Sequence, residues 1–214
     1  MHLPEWMKLR TIRKTEKSRD VTLFLDDKSV GTLPIKVLPL FVRPGEEQEI
    51  TADEAEQLWP LLKSHARSLL LDYLAKAEHS EHQSREHLRK RRFDAAIIDE
   101  LIDYCKEKKF IDDARYSEIY IRSWLKRGIG LKLLRSKLRE QRIAQSIWEP
   151  LLEEMYEPED GFDTLKSQMH KYISRQKEMS YNKLKDKTFG YFVNKGFDLD
   201  MIAGAWRELQ QPLT

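Results

Sequence analysis

Apolar positions follow two different rhythms along this chain, and the change of rhythm marks its organisation. Up to about residue 50 they come as short β-prone runs. Val21–Leu25 and Ser29–Leu33 flank the turn-forming Asp26-Asp27-Lys28, and Leu9 to Lys14 is a third run of the same kind. These predict a small antiparallel β segment, punctuated afterwards by Pro34, Pro39 and the Arg43-Pro44-Gly45 turn. At Thr51 the period changes. Thr51-x-x-Glu54 is a capping box, and it opens a helix toward Trp59, with Pro60 placed to bend it or begin another turn. Beyond that point apolar residues recur at three and four. Tyr116, Tyr120 and Trp124 share one helical face, and Leu131, Leu134 and Leu138 form the seam of the next helix.

The helical part repeats. Leu88 and Phe93 are five apart, as are Leu138 and Ile143, and Phe192 and Phe197, so the copies are offset by 50 and 54 residues. Arg92-Phe93-Asp94 and Lys195-Gly196-Phe197-Asp198 close one helix and cap the next, whereas Arg142-Ile143-Ala144 has no capping Asp. Each unit reads as three helices joined by short turns. The expected fold is mainly α: tandem three-helix repeats in an elongated array, with a small N-terminal antiparallel β segment. The expected boundaries are 1–64 for the β segment and connecting helix, then 65–111, 112–160 and 161–214 for the three repeats. Trp148 and Trp206 read as anchors on the third helices of the second and third units.

Charge sharpens the picture. From Arg115 to Arg142 nine Lys or Arg meet only Glu118 and Glu140, a local excess of seven on a chain whose net charge is +2. Arg115, Arg122 and Lys126 lie along one stripe of their helix; Lys132, Arg135, Arg139 and Arg142 follow beside the next leucine seam. Between Ile143 and Asp163 the balance reverses, with seven acidic residues and no Lys or Arg. The first unit carries Arg85 and Arg89 to Arg92. The third carries Lys166, Lys171, Arg175, Lys177, Lys183, Lys185 and Lys187 against Glu178 and Asp186. Two consecutive helices with the same bias point to a binding surface for an anionic partner. Arg115, Arg122, Lys126, Arg127, Lys132, Arg135, Arg139 and Arg142 are its candidate residues.

Catalytic and metal chemistry find no support. His82 and His87 are five apart, so they point to different sides of a helix, and His79 precedes the Ser80 cap; no further ligand completes a site. Gly128-x-Gly130 is a helix-ending turn, since neither a phosphate-loop nor a dinucleotide motif surrounds it. No Ser/His/Asp or Cys/His set stands out, so no enzyme, cofactor or small-molecule substrate is expected. The single Cys105 excludes an internal disulfide framework, and no apolar run reaches membrane-spanning length. With no signal peptide in view, the expected compartment is the cytoplasm.

Asp112-Asp113-x-Arg115-Tyr116-x-x-x-Tyr120, the Arg127-Gly128-x-Gly130 turn and Leu138-Arg139-x-x-x-Ile143 together resemble the signature of the bacterial RecX regulatory proteins. Tyr73-Leu74 with Ser80 and Leu88 is similar to that family's first repeat. The likeness spans about Ala66 to Met155. It implies tandem three-helix repeats, some behind a short β segment, that bind the RecA recombinase filament and restrain strand exchange and coprotease activity. The implied partners are the RecA filament and single- or double-stranded DNA, the latter weakly on its own. The other reading the residues leave open is a direct DNA-binding protein built of tandem helix-turn-helix-like modules.

Overall fold

The computed structural model describes residues 6–176 and 179–210. Lys177 and Glu178, counted above in the charge of the third unit, lie outside the described residues. Strands β1 (Trp6–Arg13), β2 (Asp20–Leu25), β3 (Lys28–Pro34) and β4 (Glu47–Thr51) form an antiparallel sheet in the order β3-β2-β1-β4. Asp26 and Asp27 both adopt positive φ, the conformation that a two-residue hairpin demands of its corner residues. Strand alternation sends Leu9, Val21, Leu23, Leu33 and Ile50 inward. β4 escapes the period-2 reading because Glu47, Gln48 and Glu49 are polar and only Ile50 is buried; its ladder with β1 makes it a strand.

Helix α1 (Ala52–Leu74) starts at the Thr51–Glu54 capping box and continues through Pro60. The helix expected to run to Trp59 therefore does not end there. Ala55, Leu58, Leu62, Ala66 and Leu70 form one buried seam across the proline, and that burial offsets the missing N–H. α2 (Glu81–Arg89) and α3 (Ala95–Glu107) follow, capped by Ser80 with Gln83 and by Asp94. Sheet and helices α1 to α3 share a single core. Next come α4 (Asp113–Lys126), α5 (Leu131–Glu140) and α6 (Gln145–Met155), packed around Ile121, Leu134, Leu138 and Trp148. The set α7 (Pro158–Ser174), α8 (Tyr181–Asn194) and α9 (Leu199–Gln210) packs around Met169, Phe192, Ile202 and Trp206. The chain divides into two compact units between Asp112 and Asp113.

The five-residue spacing that betrays the repeat has a local cause. Arg92, Arg142 and Gly196 all take left-handed φ, of 60°, 56° and 85°. At two of the three turns the following residue's N–H reaches back to the helix: Phe93 to the Leu88 carbonyl, and Phe197 to that of Phe192. This is the Schellman helix ending, whose accompanying apolar contact joins residues five apart. Leu88 with Phe93, and Phe192 with Phe197, are those contacts, and all four side chains are buried.

Candidate functional site

The eight cations singled out in the sequence fall into different environments. On α4, Arg115, Arg122 and Lys126 share the face opposite the buried Tyr116, Ser117 and Ile121. Arg122 is held by Glu118 one turn earlier at 2.5 Å, and Lys126 is exposed. Arg127 lies over the Trp124 ring at 4.4 Å, and Lys137 lies over the same ring at 4.5 Å. Trp124 therefore sits half-buried between two cations, while Tyr116 is fully in the core and donates its hydroxyl to Gln141 Oε1.

On α5 the stripe is divided by its partners. Arg135 turns toward α6, with Nε 2.8 Å and Nη2 2.7 Å from Glu149 Oε1. Lys132 forms an ion pair with Asp198, which immediately precedes α9 of the third module. Arg139 and Arg142 are exposed and have no carboxylate partner among the described residues. Arg135 thus faces α6, whereas Lys137 leans toward α4. Lys126, Arg139 and Arg142 are the members left available for an outside anion.

The glycine turn does more than end a helix. Gly128 has φ +63° and its carbonyl accepts from Gln168 Nε2 at 3.0 Å. Gly130 N–H donates to the Lys195 carbonyl at 2.8 Å, and Lys132 N–H to that of Gly196 at 3.1 Å. A side chain at Gly130 would lie 2.1 Å from the Gly196 carbonyl, so only glycine lets the two backbones meet. The second and third modules are joined here by main-chain hydrogen bonds. Sequence reasoning took the same residues as a turn only.

Among the described residues no group of three or more His, Cys, Asp or Glu could hold a metal ion. His79 and His87 instead stack on opposite sides of Tyr73, with ring centroids 3.7 and 4.0 Å away. Burial, helped by the positive charge of Arg91 and by His79, holds the His87 imidazole below its ordinary range. No helix among the described residues is long and apolar enough to cross a membrane.

The family described as RecX, first three-helix domain, matches residues 66–105. A protein of Haemophilus influenzae (strain PittEE) named Regulatory protein RecX is 27% identical over 143 residues, 66% of this chain and 93% of its own length. Another of that name, from Staphylococcus aureus (strain JH9), is 28% identical over 204 residues, 92% of this chain and 72% of its own. The chain is thus similar to RecX regulatory proteins along most of its length, and its residues 66–105 match their first three-helix domain. Two solved structures support the fold. A crystal structure of regulatory protein RecX superposes with a TM-score of 0.62 at 20% identity, covering 91% of this chain and 96% of that one. RecX from Lactobacillus salivarius gives 0.61 at 24% identity, covering 69% and 96%.

Proposed function

We propose that this chain is a non-enzymatic regulator that binds the RecA–DNA filament in its groove and inhibits recombinase and coprotease activity. The observation that carries the reading is the set of exposed cations on the second module, Lys126, Arg139 and Arg142. They lack carboxylate partners among the described residues of a chain that pairs many of its other cations internally. Guanidinium and ammonium groups left free in this way suit the phosphates and acidic side chains of a nucleoprotein filament. A filament repeats its surface, so tandem modules add contacts along it and gain by avidity. Seated there, the chain would exclude the second DNA and the LexA-type substrate.

The test is RecA-catalysed ATP hydrolysis and LexA cleavage on single-stranded DNA, with this protein titrated in. Inhibition is expected at equimolar ratios or below. It should weaken by at least about tenfold in the Lys126→Glu/Arg139→Glu variant, since two charge contacts of about 1 kcal/mol or more are reversed. Unchanged inhibition by the folded variant overturns the assignment of the surface. Absence of inhibition, with tight salt-sensitive binding to naked duplex, favours a direct DNA-binding module instead.

A further inference from the structure

Within the first unit, a cleft of about 690 Å³ opens between the outer face of the sheet and the turn joining α2 to α3. Its floor is a row of register partners, Ile12, Thr22 and Thr32, across β1, β2 and β3. Its rim is basic. Lys14 and Arg19 come from the β1–β2 connection, and Lys90, Arg91 and Arg92 from the helical turn; Asp20 is the only carboxylate in the lining.

The turn is fixed against the sheet by its carbonyls. Thr32 Oγ1 donates to the Arg91 carbonyl at 2.9 Å and Ser29 Oγ to that of Arg92 at 2.8 Å, while Asp94 N–H donates to the Val30 carbonyl at 3.1 Å. The left-handed Arg92 belongs to the same Schellman ending that builds the repeat. Helix-ending geometry, strand hydroxyls and three consecutive cations therefore place positive charge at one rigid edge.

Several cations on this unit have carboxylate partners: Lys8 with Glu47, Arg10 with Asp27, Lys28 with Asp94, Arg85 with Glu81 and Asp99, and Arg89 with Glu86. Lys14, Arg19, Lys90, Arg91 and Arg92 have none among the described residues, and Arg91 spends one guanidinium N–H on the His87 carbonyl. An excess of four positive charges around one cleft is not explained by folding.

We propose that this cleft binds the phosphodiester backbone of a nucleic-acid strand, as a site separate from the cations of α4 and α5. A strand delivers one negative charge for each about 3.4 Å of its length in B-form geometry, so consecutive phosphates satisfy several rim cations together. Among the described residues no aromatic ring lines the cleft; Phe24, two residues along β2 from Thr22, is covered by the Arg10 guanidinium at 4.9 Å, and Thr22 and Thr32 are bonded to each other at 3.1 Å. The floor thus offers neither a free stacking ring nor a reading edge, and the contact is with backbone, not with sequence.

The test uses the full chain, a fluorescent 30-residue oligothymidylate and no recombinase, so it stands or falls apart from the filament reading. In Lys14→Glu/Arg19→Glu/Lys90→Glu, affinity should fall at least about tenfold, and the slope of log K against log salt should flatten by about 2, three contacts at about 0.7 each. A Lys63→Glu/Lys108→Glu control, on cations already paired with Glu100 and Glu107, should stay within about twofold. Arg92→Gly removes one guanidinium while easing the left-handed turn, so it should bind more weakly without losing its fold. Four results overturn the site. They are a parent that does not hold the strand at low salt, a folded triple variant that binds as well as the parent, a control that loses as much, and displacement of the strand by charge-matched polyglutamate as readily as by unlabelled oligonucleotide.

Discussion

Arg135 and Arg139 are one helical turn apart and look alike in sequence, yet they do different work. Arg135 spans fourteen residues to Glu149, and periodicity along a single helix cannot see such a partner. With its side chain 34% exposed and that of Glu149 19%, the pair is partly shielded from solvent. Glu149→Gln should therefore cost about 1 kcal/mol in urea unfolding, whereas Arg139→Glu should shift stability by less than about 0.5 kcal/mol. Reversing Arg135 would mix a stability defect with a binding defect, and so the tests above avoid it. The histidines repeat the lesson. Their spacing sends His82 and His87 to different sides of a helix, but nothing in it reveals that His79 and His87 enclose Tyr73. Because the folded state holds His87 below its usual 6.5, the unfolded chain takes up the proton first as pH falls. The stability this group contributes is complete above about 6.5 and is lost as pH drops toward the folded value. Thermal midpoints measured from pH 7.5 to 5.5 should fall more steeply for the parent than for His87→Gln. His65, also lowered by burial, adds to the parent's slope in the same direction.

Elements were most legible where their causes are local. Capping boxes at Thr51 and Ser80, the Asp94 cap and the missing cap at Ala144 all follow from side chains within three residues of the helix start. The repeat itself is legible because a Schellman contact writes its signature into six consecutive residues. Pro60 and β4 were not legible. In both, packing against a distant partner overrides the local preference: the buried seam of α1 in one case, the ladder to β1 in the other. Two glycines make the distinction measurable. Gly190, inside α8, faces open space, so Gly190→Ala should stabilise by about 0.5–1 kcal/mol through helix propensity. Gly130→Ala drives a methyl into the Gly196 backbone, which cannot move aside as a flexible side chain would, and should cost more than about 2 kcal/mol. Denaturant midpoints of the two variants should move in opposite directions. If Gly130→Ala is neutral, the main-chain junction of the second and third modules is not rigid.

At the scale of the whole molecule, a net charge of +2 conceals an uneven distribution. Among the described residues, many cations are consumed by ion pairs, and the others discussed above collect at the first unit's cleft and on the outer faces of α4 and α5. The two populations should respond differently to salt. Ion pairs across exposed side chains contribute little to stability, and screening them changes little. Free cations that meet phosphates release condensed counterions on binding, and that term depends steeply on salt. Raising KCl from 50 to 200 mM should therefore weaken attachment to nucleic acid by more than about tenfold while moving the thermal midpoint by only about 2 °C. Fluorescence anisotropy and differential scanning calorimetry on the same samples check both halves. A large fall in the midpoint would mean that the surface charges hold the fold together. A flat affinity would mean that the unpaired cations meet no polyanion.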